Sequence, residues 1–300
     1  MKFSIPDIYF WDLPFELRLK KIKSLGFDGV ELWLVLAELG HDVISYWPEN
    51  YNLRNVTLTP RELSRLTENN GLEIQAFSHT YILGPEGLHG LPTPVLSGKE
   101  LKERIGKIKS MINFISETGG KEFIVESGGD PEKPEQWDSL IDVLRNLVDH
   151  AEAQGVILAF ENSPHVLIDD EDDLLRLMQE IDSNSLGINF DPANINMCPP
   201  GNRDVPKSIR KVADYIVSVH VKDSIYGGEK YGKTPEGKWN CPPLGEGTTP
   251  WKESIKAFKE IGYQGFWTIE YFASNFDIEE AEKGVLHNRN YIEKYLTEIF

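Results

Sequence analysis

Short unbroken apolar runs alternate along this chain with longer stretches in which apolar positions recur at helical spacing. The run Val156–Phe160, read VILAF, has no polar alternation, the pattern of a strand buried on both faces of a parallel sheet. Comparable runs predict strands over Phe3–Ile5, Gly29–Leu34, Leu72–Ser78, Glu122–Val125, Leu186–Phe190, Ile216–Val219 and Phe266–Ile269. Amphipathic stretches predict helices over Leu13–Leu25, Gln136–Gln154, Asp170–Ile181, Ser208–Ala213, Pro250–Ile261 and Ile278–Phe300. Thr59-Pro60-Arg61-Glu62 and Ser97-Gly98-Lys99-Glu100 each read as a capping box opening a further helix, the second running to about Thr118. Gly26, Gly119-Gly120 and Gly155 mark helix ends.

Eight strand–helix units in 300 residues, with no Pro- or Ser-rich linker, predict an α/β fold: a (β/α)8 TIM barrel as a single domain over residues 1–300. A doubly wound open sheet is the alternative. It usually carries a Gly-rich phosphate turn after its first strand, and none is present. Long connections follow three strands, at Val35–Leu58, Thr80–Leu96 and Lys222–Thr249. On a barrel they would lie at the C-terminal face, as pocket walls or as plain surface insertions.

Charge narrows the choice of partners. Lys plus Arg number 31 against 48 Asp plus Glu, a net charge of −17 that would repel a nucleic acid backbone or an anionic membrane. No apolar stretch is long enough to span a bilayer, and Pro6, Asp7 and Asp12 break up the N-terminal run. Two cysteines, Cys198 and Cys241, are too few for a disulfide framework and suggest free thiols in a reducing, cytoplasmic setting. The expected partner is a small molecule, with homo-oligomerisation open.

Candidate chemistry collects at strand ends. VILAFENSP runs into Glu161, LGINFDPAN into Asp191, YIVSVHVKD into His220 and GFWTIEYF into Glu270. Any one of these reads best as a polar cap on a strand. Four on consecutive strands of a closed barrel converge, and three carboxylates with one imidazole form a hard site for Mn²⁺, Mg²⁺, Co²⁺ or Zn²⁺. Without a cation, the carboxylates would repel one another and rise in pKa.

The ordered segments GFDGVELW (Gly26–Trp33), FDPAN (Phe190–Asn194), HVKD (His220–Asp223), PLGEGTTPW (Pro243–Trp251) and GYQGFWTIE (Gly262–Glu270) resemble the sugar phosphate isomerase/epimerase family with the xylose-isomerase-like barrel. The resemblance covers nearly the whole chain. It implies that Glu161, Asp191, His220 and Glu270 ligate a divalent metal, Mn²⁺ first among the choices, as in ketose 3-epimerases and inosose dehydratases. It also implies that Glu161 and Glu270 serve as bases on a keto-sugar or polyol-derived substrate that reacts through an enediolate. Epimerisation, isomerisation and loss of a β-hydroxyl all remain open. One departure is Asn194, at a position where the family often has His; its amide would contact substrate by donating a hydrogen bond to a hydroxyl, but it is no acid or base near pH 7. With the acidic charge, that departure also argues against the apurinic endonuclease branch. A non-catalytic sugar-binding barrel is a further alternative, opposed by the intact quartet.

Further residues belong to a second tier. Lys222 falls on the same strand face as His220, where it would steady an enediolate or bind an anionic group; the plainer reading is a rim ion pair with Asp223. His79 and Glu126 end strands and read either as substrate contacts or as simple strand caps. Trp11, Trp33 and Trp239 are aromatic surfaces for sugar C–H groups or ordinary packing. Glu31 alternates with Val30 and Leu32, which suggests no more than a hydrogen bond inside the barrel.

Overall fold

The apolar runs pair side by side and close on themselves. The strands are β1 (Lys2–Pro6), β2 (Gly29–Leu32), β3 (Glu73–Tyr81), β4 (Glu122–Glu126), β5 (Ile157–Glu161), β6 (Leu186–Phe190), β7 (Ile216–Val221), β8 (Ile225–Tyr226), β9 (Trp239–Asn240) and β10 (Phe266–Ile269). A computed structural model describes residues 1–41, 51–84, 93–198, 201, 203–227, 239–271 and 277–298, apart from the side chain of His79. β8 and β9 pair antiparallel outside the barrel; the other eight form a closed parallel barrel in the order β1-β10-β7-β6-β5-β4-β3-β2. This is the (β/α)8 architecture that the strand–helix alternation predicts.

Strand alternation separates two interiors. Phe123 and Val125 of β4, Leu158 and Phe160 of β5, and Ile188 and Phe190 of β6 enter the large core shared with the outer helices. Ala76, Ile124 and Ala159 form a separate small cluster, and alternation along β4 and β5 places it in the barrel lumen. Glu126 and Glu161 lie two residues beyond Ile124 and Ala159, so they share the lumen face at the C-terminal ends.

The outer helices are α1 (Phe15–Ser24), α2 (Leu34–Glu38), α3 (Pro60–Asn69), α4 (Gly98–Thr118), α5 (Gln136–Gln154), α6 (Glu171–Ile181), α7 (Pro192–Met197), α8 (Val205–Lys211), α9 (Trp251–Glu260) and α10 (Ile278–Glu298). α5 buries Leu140, Leu144, Leu147 and Ala151 along one stripe and ends at Gly155, whose φ of 67° suits glycine. The Thr59–Glu62 capping box forms, but the one at Ser97 does not: its side chain makes no cap hydrogen bond. β3 continues to Tyr81 through a register shift after Phe77, rather than stopping at Ser78. α8 starts at Val205, capped by Asp204, three residues before the expected start at Ser208. In the long Lys222–Thr249 connection, Tyr231, Gly232 and Gly237 lie outside the described residues.

A buried ion cluster ties the first βα unit to the second. Arg18 donates to Asp7 at 2.9 Å, to Glu38 at 2.5 Å and to the Leu13 carbonyl at 2.8 Å. Asp7 also accepts the backbone N–H groups of Trp33, Leu34 and Val35 at 2.8, 2.7 and 3.0 Å. That carboxylate ends β2 and opens α2, a turn that the continuous apolar sequence does not announce. Burial pushes the Asp7 carboxyl up against the pull of Arg18. Arg18→Met is expected to destabilise the fold by roughly 3–5 kcal/mol, because two buried carboxylates lose their cation. Urea unfolding measures this.

At the opposite end of the lumen, Gln75 Nε2 donates to Glu122 at 3.2 Å and Thr268 Oγ1 donates to Gln75 at 3.1 Å. Ser4 and Thr268 share a 2.6 Å hydrogen bond. Burial pushes the Glu122 carboxyl up to about 7. A raised carboxyl binds its proton more tightly folded than unfolded, so its ionisation costs stability as pH climbs from about 4.5 to about 7. Glu122→Gln is therefore expected to be more stable than wild type at pH 8, by on the order of 1–2 kcal/mol, with the gap closing near pH 4.5. Thermal melts across this range provide the check.

Candidate metal centre

Four adjacent strands deliver the principal groups. Glu161 is the last residue of β5 and His220 the penultimate residue of β7. Asp191 directly follows β6, and Glu270 directly follows β10. All four are buried. Ligand-type atoms of Glu161, Asp191 and His220 lie within 4.8 Å of one another. His220 Nδ1 is 3.2 Å from Glu161 Oε1 and 3.4 Å from Glu270 Oε1.

Local structure aims each group. Asp191 is the N-cap of α7: its Oδ1 accepts from Ala193 and Asn194 at 2.8 and 3.1 Å. Pro192, at the first helical position, helps α7 start there. Lys222 Nζ forms ion pairs with Asp191 Oδ2 and, at 2.7 Å, with Glu270 Oε2. Lys222 thus pairs inward, while Asp223 accepts the backbone N–H groups of Ser224, Gly245, Gly247 and Thr249. A Cβ at Gly247 would lie 2.2 Å from Asp223 Oδ1, so the loop closes on this carboxylate only with glycine there.

Two amides hold Glu161. Asn194 Nδ2 donates to Oε1 at 3.2 Å and Asn189 Nδ2 donates to Oε2 at 3.1 Å. Asn194 also donates to the Asn162 carbonyl at 2.8 Å. His220 Nε2 lies 3.0 Å from Glu31 Oε2, and Ser78 Oγ and Trp33 Nε1 both donate to Glu31 Oε1. Asn189 and Ser78 escaped the sequence reading, although period-two spacing from Asp191 and the interior position of β3 are signals for them. Tyr9 also escaped it: its hydroxyl accepts from Tyr271 N–H at 2.9 Å, beside Glu270.

The electrostatics are those of a crowded acidic pocket. Burial raises Asp191 to about 6 against the pull of Lys222. Burial opposes the His220 cation, but Glu161, Glu270 and Glu31 outweigh it and hold the imidazole well above its ordinary value. Burial likewise opposes the Lys222 ammonium, and Asp191, Glu270 and Glu161 hold it well above the usual lysine range. The carboxylates of Glu31, Glu161, Asp191 and Glu270 outnumber the basic groups His220 and Lys222. The donor set of three convergent carboxylates and one imidazole therefore fits a divalent cation in both charge and chemistry.

The remaining expected site residues lie as follows. Glu126 is fully buried at the end of β4. The His79 side chain lies outside the described residues. Trp33 is buried against Ile8 and Leu34. Trp11 packs edge-on with Tyr51 at 6.2 Å, and Trp239 edge-on with Tyr226 at 5.3 Å. A second acidic group, Asp169, Asp170 and Asp173, is half-buried and faces Arg203, which pairs with Asp170 at 3.1 Å.

Known proteins resemble this chain over its length. The family described as Xylose isomerase-like TIM barrel matches residues 19–295. An inosose dehydratase from Geobacillus thermodenitrificans is 25% identical over 199 residues, 58% of this chain and 65% of that protein. The structure of the IOLI protein with a binding zinc atom superposes with a TM-score of 0.74 at 17% identity, over 100% of this chain and 99% of that one. D-Psicose 3-epimerase from Clostridium cellulolyticum H10, solved with D-tagatose, superposes with a TM-score of 0.71 at 18% identity, over 99% of each chain. At such identities the structural likeness speaks to the fold alone. The closed eight-stranded barrel and the match across residues 19–295 together make this chain a member of the xylose isomerase-like TIM barrel family.

Proposed function

We propose that this chain is a divalent-metal-dependent sugar isomerase or epimerase that works through an enediolate. The observation that carries the reading is the convergence of Glu161, Asp191, His220 and Glu270 at one end of the lumen. Family membership and the ketose 3-epimerase of the same fold support it. The four residues would hold the ion, with Mn²⁺ preferred and Mg²⁺, Co²⁺ or Zn²⁺ as the other choices. When bound, such an ion supplies electrophilic stabilisation for negative charge on two adjacent sugar oxygens.

The chain's own groups account for the rest. Glu161 and Glu270 come from strands on either side of β6 and β7 and would take and return the proton on carbon. The Lys222 ammonium, next to Glu270 and Asp191, would steady an oxyanion on the substrate. Asn194, bonded to Glu161 Oε1, would hold that carboxylate in place rather than move protons. Glu126, His79, Trp11, Trp33 and Trp239 are the proposed sugar contacts. No phosphate-binding Gly cluster stands out in the sequence, which favours a non-phosphorylated keto-sugar, polyol or glycoside.

A second reading is a metal-dependent sugar dehydratase on the same residues. Asn194 and the similarity to an inosose dehydratase favour it. It predicts a product lighter by one water, whereas the first reading predicts a product of unchanged mass.

Two outcomes follow. With Mn²⁺, a cognate keto-sugar is expected to exchange one C–H with D₂O, seen by proton NMR, and Glu161→Gln and Glu270→Gln each to lose at least about 100-fold. Exchange persisting in both variants would remove the assigned bases. Metal uptake is also expected to release a proton, because His220 holds one before it ligates. Affinity should thus rise up to about tenfold per pH unit as pH increases. Calorimetry in buffers of different ionisation enthalpy counts that proton.

A further inference from the structure

We infer that Glu31 is a positioning residue that holds the Nε2–H of His220 and so leaves Nδ1 as the ligating nitrogen, and that the Trp33 indole keeps Glu31 in that role. The inference rests on the metal-centre reading above. It adds a reason why the imidazole presents one nitrogen rather than the other.

β2 and β7 are three strands apart around the closed sheet, so the 3.0 Å contact from His220 Nε2 to Glu31 Oε2 crosses the lumen. An imidazole that ligates is neutral, with one N–H and one lone pair. Whichever nitrogen donates to Glu31 is unavailable as a ligand, and the other faces the carboxylates. Glu31 Oε1 is already engaged by Trp33 Nε1 and Ser78 Oγ. An indole N–H only donates, so the atom facing it must accept. Trp33 is buried against Ile8 and Leu34 and its backbone N–H is bound to Asp7, which fixes the position of that donor. With a carboxylate at residue 31, both oxygens accept, and His220 must donate from Nε2.

An amide at this position breaks the logic. In Glu31→Gln the single carbonyl oxygen goes to Trp33, and the amide N–H₂ falls opposite His220 Nε2. The imidazole must then accept there and carry its proton on Nδ1, where a metal would bind. Loss of one negative charge also weakens cation binding, so the single variant does not isolate the tautomer. Adding Trp33→Phe removes the partner that can only donate, and the Ser78 hydroxyl can accept from the amide as well as donate to it. The amide can then rotate, present its oxygen to His220 and restore the Nδ1 lone pair. Neither charge loss nor packing damage would be repaired by that second substitution.

The test is Co²⁺ titration of the purified full chain, followed by visible d–d absorption, with melting curves to confirm folding. Glu31→Gln is expected to bind Co²⁺ about 10- to 100-fold more weakly than wild type, with a band altered by the loss of a nitrogen ligand. Glu31→Gln/Trp33→Phe is expected to recover at least about threefold of that loss and the wild-type band shape. Wild-type affinity in Glu31→Gln would overturn the inference, and so would a double variant no tighter than the single one. A wild-type chain that takes up no Co²⁺ would overturn the metal-centre reading itself, and the inference with it.

Discussion

Several carboxylates buried in one small volume repel each other and resist ionisation unless cations accompany them. The upper end of this barrel is organised around that constraint. Glu161, Asp191, Glu270 and Glu31 surround His220 and Lys222, and no group is placed independently of the others. The cost of collecting them falls on the fold, which must hold the strand ends in register against their repulsion. The continuous apolar face between sheet and helices supplies the opposing free energy, because it is removed from water whatever the lumen contains.

The same constraint explains why helices and amides converge on the pocket. Asp191 spends one oxygen on the N-terminus of α7, which favours its charged form, and leaves the other for Lys222. Asn189 and Asn194 each take one oxygen of Glu161, so that carboxylate has a fixed plane. Neutral donors can do this without adding charge. A histidine in place of Asn194 could bring a second imidazole beside Glu161 and change the balance of charge in the pocket.

How much of this was legible depends on how local the determining contact is. The barrel was legible because each strand is a continuous apolar run and each helix a periodic one, and those patterns are local. The four strand-end groups could be read from their position after such runs. α2 could not be read: Leu34–Glu38 continues the apolar sequence of β2, and the break comes from Asp7, a side chain 27 residues before Leu34. α7 has no apolar period and is opened by the Asp191 side chain. Ser97 shows the reverse failure, a local capping signal that the folded backbone leaves unused. Glu31 could be assigned to the interior by alternation, but its partner is 189 residues away, and no local pattern encodes such a pairing.

The Asp7 contact also connects stability to chemistry. Arg18 holds Asp7, Asp7 holds the backbone of Trp33, and the Trp33 indole donates to Glu31, which faces His220. Each link is buried, and each joins a donor to a carboxylate oxygen. A perturbation at the outer end of this series can therefore reach the imidazole without touching the pocket wall. The first βα unit, which supplies none of the four ligand-type side chains, is then more than scaffold. Through Asp7 it holds the backbone of Trp33, and with it the indole donor that engages Glu31.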